Sequence, residues 1–174
     1  MKYKIIMECE EVHNFLREFL IDEDATFLDL SNTILKSCGY PDDQMTSFYV
    51  CEDSWERRSQ ITRLDCSDGY FEARSMEETT LADILDEGYN RMEYIFDPCN
   101  ERAFILRVKG EVQGYGEPEI VRSEGKAPQQ IKDFDAFTKV SKDDNLAFAD
   151  AFVDDEGFDS DEISLDGFEI SEDI

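Results

Sequence analysis

The sequence predicts an α+β fold, a mixed sheet with helices packed on one face, followed by an acidic C-terminal tail. Three observations point there. Short runs rich in Ile, Phe, Leu and Val alternate with two segments that open on Thr-x-x-Asp, the pattern of a capped helix start. A length of 174 residues with 41% hydrophobic content supports one substantial core. Finally, all 17 Lys and Arg lie at or before Lys142, while acids continue to the end. The chain therefore divides into a body, residues 1–142, and a tail, residues 143–174.

In order, "KYKIIMECEE" and "NFLREFLID" read as a β-hairpin with a polar bend near Glu11 to His13. Thr26 then caps a helix whose apolar positions Phe27, Leu30, Ile34 and Leu35 share one face and which Gly39 and Pro41 end. "MTSFYVCE" reads as a strand. The polar stretch after it, residues 52–79, is the least determined, with Asp68-Gly69 suited to a hairpin turn between short strands. Thr80 and Asp83 open a second, shorter helix that stops before Gly88. "RMEYIFD" and "RAFILRVKGEV" follow as strands joined by a bend at Pro98 to Asn100. "GYGEPEIVRSEGKAPQQ" reads as loop, and Ile131, Phe134, Phe137 and Val140 recur at helical spacing after Pro128, predicting a helix near 129–140. This order of elements is like that of the β-grasp.

The charge excludes whole classes of partner. At -26 the chain's own field repels nucleic-acid backbones and anionic lipid surfaces, so direct nucleic-acid binding is disfavoured. Half of that net charge belongs to the last 32 residues. No run approaches the ~20 apolar residues of a membrane helix, and the N-terminus breaks into charge too early for a secretory signal. Five cysteines, Cys9, Cys38, Cys51, Cys66 and Cys99, form no CxxC pair, which suits reduced thiols in the cytoplasm. No metal or cofactor is expected.

Several residues resemble the plasmid pRiA4b open-reading-frame-three-like family, whose members are also known as insertion-element passenger proteins. Thr26-Phe27-Leu28-Asp29-Leu30, Ile34, Gly39-Tyr40 and Phe48 are similar to that family's helix and following strand, and Tyr94 to Asp97 match more weakly. The resemblance covers about residues 1–130 and implies a fold and a link to mobile DNA rather than an activity. The chain departs from the family in two places. Where the family carries a Tyr-Asp-Phe-Gly-Asp turn and a Trp, this chain has Phe96-Asp97-Pro98-Cys99-Asn100-Glu101-Arg102, and the family's His before the central Phe is replaced near Met45 and Thr46.

Candidate chemistry is sparse. His13, the sole histidine, sits at a predicted bend with no nucleophile nearby in sequence, so it reads as a solvated turn residue. Cys51 and Cys66 flank Arg57, Arg58 and Arg63, but ordinary thiols are the simpler reading. The glycines Gly110, Gly114 and Gly116 open no clear helix and lack the P-loop Lys-Ser/Thr pair. Calcium-loop spacing fails from Asp154 and Asp159, because the fifth positions are Phe158 and Ile163.

Two binding candidates are left. Trp55, Arg57 and Arg58 bring an aromatic beside clustered cations, the residue types that anchor interfaces, although a Trp covering a sheet edge with solvated arginines is the commoner arrangement. In the tail, Phe152, Phe158, Ile163, Leu165, Phe168 and Ile170 alternate with carboxylates, which reads either as a solubilising end or as a segment that orders on binding. Its partner would be a basic protein or the chain's own folded body. The expectation is a non-enzymatic interaction module. The alternatives are a small enzyme of mobile-element biology using carboxylates such as Asp97 and Glu101, and an acidic nucleic-acid mimic that occupies a basic protein.

Overall fold

A computed structural model describes residues 1–63 and 73–132. Among these, the chain folds as β1 (Lys2–Glu8), β2 (Leu16–Asp22), α1 (Phe27–Cys38), β3 (Ser47–Cys51), β4 (Arg57–Thr62), β5 (Ala73–Ser75), α2 (Leu81–Asp86), β6 (Arg91–Asp97), β7 (Arg102–Val112) and β8 (Glu119–Glu124). The strands form one mixed sheet in the order β5-β4-β3-β6-β7-β1-β2-β8. All neighbours are antiparallel except β4 and β5. Sheet dominates the described residues, which hold two helices, of 12 and 6 residues.

Period-two alternation decides which side chains are buried. Ile5 and Met7 of β1, Phe19 and Ile21 of β2, Phe48 and Val50 of β3, Met92, Tyr94 and Phe96 of β6, and Phe104 and Leu106 of β7 form one core cluster. Phe27, Leu30 and Ile34 of α1 and Leu81 and Ile84 of α2 join the same cluster. At its centre Phe104 stacks on Phe15 at 5.1 Å and on Phe96 at 4.3 Å.

The two helices satisfy each other's exposed N–H groups. Each carries a full capping box, in which the Thr hydroxyl accepts from the third backbone N–H and the Asp carboxylate accepts from the Thr N–H. A cap leaves the first two N–H groups without partners. Phe27 and Leu28 donate theirs to Thr79 O and Met76 O, while Leu81 and Ala82 donate to Ala25 O and Glu23 O. The repeated Thr-x-x-Asp thus marks two helix starts joined through a Thr26–Thr80 bridge. Gly39, in the left-handed conformation, ends α1.

Three expectations need correction. First, β5 runs parallel to β4 and is not its hairpin partner, while the turn expected at Asp68-Gly69 lies outside the described residues. β4 is instead the hairpin partner of β3, through a turn in which Trp55 adopts φ 69°. Second, the stretch read as loop contains β8, a sheet-edge strand paired with β2. Every residue of β8 is exposed, so no inward-outward alternation betrayed it. Third, residues 129–132 are not helical. They belong to an irregular segment held by side chains, and the rest of the expected helix at 129–140 lies outside the described residues.

That segment is fastened at several points. Arg17 donates to Glu124 O at 2.5 Å and to Gly125 O at 3.1 Å. Gly125 is required there, because a Cβ would stand 2.2 Å from Asn14 O. Tyr40 Oη donates to Pro128 O, and Gln130 Nε2 donates to Pro41 O.

Candidate functional site

The alternation that sends Phe48, Val50, Ile61 and Tyr94 into the core sends Ser47, Tyr49, Gln60 and Ile95 to the other face of the sheet. There they line an open pocket of about 290 Å³. Met45 and Thr46 enter from the α1–β3 loop, Arg57 and Arg63 from β4 and its end, and Pro98 and Glu101 from the β6–β7 turn. Glu101 is held at φ 51°, an uncommon conformation for a residue with a side chain.

Its polar groups are partly committed. Arg57 donates to Glu93 from Nε at 2.8 Å and stacks over the Tyr49 ring at 4.2 Å. Arg63 Nη1 bonds Asp42 at 2.7 Å, and Nη2 reaches Ser31 Oγ at 3.4 Å. Ser31 in turn shares a 2.9 Å hydrogen bond with Tyr94, whose phenol is fully buried and whose pKa burial pushes up. Thr46 lies beside the same buried Tyr94 hydroxyl, and Arg63 Nε is buried without a hydrogen-bond partner.

The structure separates the three residues that sequence grouped. Arg57 lines the pocket. Trp55 lies under the guanidinium groups of Arg91 at 5.4 Å and Arg107 at 5.3 Å, and Arg107 pairs with Glu8. Arg58 turns to the carboxylates of its own hairpin, Glu52 at 2.5 Å and Glu56 at 3.6 Å. The tail candidates Phe152, Phe158, Ile163, Leu165, Phe168 and Ile170 lie outside the described residues.

Asp97 and Glu101 do not converge. Asp97 is buried and bound by Asn100 and by Arg102 at 3.3 Å, whereas Glu101 faces the pocket. Arg102, also buried, grips Glu11 with Nε at 2.7 Å and Nη2 at 2.8 Å, and donates to Gln129 O and Gln130 O. Its hydrogen bonds hold the Glu11 carboxyl below the ordinary range. This arginine is therefore a fastener linking three loops. Its single-letter context offered no sign of that role.

His13 is exposed in the β1–β2 loop. Burial pushes the Cys51 thiol up to about 11, so it stays protonated at neutral pH, the opposite of an activated nucleophile. Cys66 lies outside the described residues. Among the described residues no three His, Cys, Asp or Glu are grouped to hold a metal, and no helix is long and apolar enough to cross a membrane.

No curated protein matches the chain. Among solved structures, it is similar to the crystal structure of a protein of unknown function, MM3350, from Methanosarcina mazei Go1. The TM-score is 0.59 at 17% identity, over 70% of this chain and 68% of that one, a likeness of fold alone. The plasmid pRiA4b ORF-3-like family matches residues 2–166. Met45, Thr46, Pro98 and Glu101 all contribute to the same pocket. Because the family match spans most of its length, the chain belongs to the plasmid pRiA4b ORF-3-like protein family.

Proposed function

We propose that this chain is a non-enzymatic, cytoplasmic protein-interaction module. The carrying observation is the second face of its sheet, where Arg57 lies over Tyr49, and Arg91 and Arg107 lie over Trp55. Trp, Tyr and Arg are the side chains most enriched in binding hot spots, since they combine apolar area with directed hydrogen bonds. The acidic-apolar tail, with Phe152, Phe158, Ile163, Leu165, Phe168 and Ile170, adds a docking segment for a basic protein or for the body itself. The family's tie to mobile DNA makes a protein of such an element a natural partner. Because Phe27, Leu30 and Ile34 of α1 and Leu81 and Ile84 of α2 all join the core cluster, the reading assigns the helices to the core face and the partner to the other.

The test compares the full chain with a truncation after Lys142 and with Trp55→Ala. Expected is loss of a salt-sensitive basic partner on truncation, at unchanged melting temperature, and weaker partner capture for Trp55→Ala. A lower melting temperature on truncation, with capture unchanged, assigns the tail to the body. If neither change alters capture or stability, the interaction reading fails.

A further inference from the structure

A strand ordinarily contributes to a sheet by packing one row of its side chains against neighbours. All six residues of β8 are exposed, yet the strand is held at both ends by cations drawn out of water. Lys2, only 3% exposed, donates from Nζ to Glu117 O at 2.9 Å and to the Glu119 carboxylate at 2.5 Å. Arg17, 4% exposed, donates to Glu124 O and Gly125 O at the other end. Burying a charge costs free energy that its hydrogen bonds must offset. Two buried cations are thus committed to a strand that buries none of its own side chains. Their effect is to hold its outer edge in one conformation.

Among the described residues β8 ends the strand order, so alternate residues turn their N–H and C=O groups away from β2. Exposed large apolar residues gather here, with Val112 at the end of β7, Tyr115 in the loop that follows, and Ile120 and Val121 in β8. Ile120 pairs with the core residue Phe19 and so lies on the α1 side of the sheet. There it lines a groove of about 280 Å³ with Glu117 and Pro118, opposite Asp29 and Lys36 of α1. An extended chain laid beside β8 sends every second side chain over that groove. A Lys or Arg fits it, with an apolar stem for Ile120 and Pro118 and a cationic head for a groove that holds two carboxylates and one ammonium group. Charges and bulges guard many edges, and β8 has Glu119, Arg122 and Glu124 and a register shift that leaves Val121 unpaired. Together with a net charge of -26, these disfavour a second copy of the chain and favour a strand of opposite sign.

We infer that β8 is a docking edge that takes an extended, basic segment of a partner protein as an added strand. Main-chain hydrogen bonds supply the affinity, while the groove and the charge select the sequence. β2, β1, β7 and β6 lie between this edge and β3, whose hairpin carries Trp55, so the inference goes beyond the second-face contact and does not rest on it.

The experiment titrates the full chain, at about physiological ionic strength, with an acetylated and amidated octapeptide of alternating Lys and Val. Expected is a dissociation constant on the order of 0.1 mM, with amide NMR shifts and slowed hydrogen exchange centred on residues 119–124. The same peptide N-methylated throughout keeps its charge but donates no main-chain hydrogen bond, and it should bind about tenfold more weakly. Equal affinity for the two, no binding of either, or shifts spread over the acidic surface without a centre at β8 overturns the assignment. An alternating Glu and Val peptide should not bind, and affinity equal to that of the basic one overturns it too. Ile120→Ser, at an exposed position, should weaken the basic peptide about threefold or more, and undiminished binding counts against the edge in the same way. A full chain that sediments as a dimer until Ile120→Ser makes it monomeric assigns the edge to a second copy. A truncation after Lys142 that binds the peptide about tenfold more tightly assigns it to the chain's own end. Either result overturns the proposal.

Discussion

The two faces of the sheet are built from alternate residues of the same strands, yet their energetics differ. On the core face Phe48, Tyr94, Phe96 and Phe104 are fully buried and meet ring to ring. On the other, Arg57, Glu93, Arg107 and Glu8 pair across strands with side chains between 16% and 44% exposed. Removing apolar area from water stabilises in proportion to the area buried, whereas a solvated ion pair exchanges one set of favourable contacts for another. One face therefore holds the body together, and the other is free to vary in its chemistry. Arg102 stands apart from the arginines of the second face, because its charge is buried and a carboxylate is buried with it.

Mutations that cross this divide should differ in size. Phe104→Ala, which deletes a ring stacked on Phe15 and Phe96, should cost about 3–5 kcal/mol by urea unfolding. A loss below about 1 kcal/mol would show that the core face is not the main source of stability. Arg102→Met leaves the 2%-exposed Asp97 carboxylate without its cation and should cost about 3 kcal/mol or more.

The same variant has a pH signature. In the wild type the Glu11 pKa is depressed on folding, so its contribution is fully present above the unfolded value and is lost as pH falls through the folded one. Without Arg102 that contribution is absent at every pH. The urea midpoint of Arg102→Met should therefore fall less steeply than wild type between about pH 5 and pH 3. Parallel slopes would show that Glu11 gains nothing from the contact.

Smaller effects are expected at the helix starts. Thr26→Ala and Thr80→Ala should each cost about 1 kcal/mol. Because the two caps are joined backbone to backbone, the double variant should differ from the sum by about 0.5 kcal/mol or more. Strict additivity would mean that the helices are capped independently. Smallest of all, Arg57→Ala should change stability by less than about 1 kcal/mol, since its partner Glu93 can be resolvated. A larger loss would remove the distinction between the faces.

Local pattern carried much of the fold. The β1–β2 hairpin, both capped helices, β3 and the β6–β7 pair were legible because alternation, Thr-x-x-Asp and Gly/Pro stops act within a few residues. β8 was not, since an edge strand exposed along its whole length has no apolar period to read. The parallel pairing of β5 was hidden for another reason, as it depends on where β4 already lies in the sheet. Of the candidate site, sequence singled out Arg57 through its neighbours Trp55 and Arg58, but the three point to different surroundings. Thr46, Arg63 and Glu101 gather from separate segments of the chain, and no spacing rule links them.

By itself, then, the sequence determined the secondary elements with a buried face, the acidic charge and its concentration near the C-terminus, and the family, because each follows from composition or short-range pattern. Only the tertiary structure decided the strand order, the reciprocal capping of the helix starts, the burial of Arg102, and the gathering of Met45, Arg57 and Glu101 around one pocket. Those depend on contacts between residues far apart in the chain, whose strength is set by the solvent they exclude together.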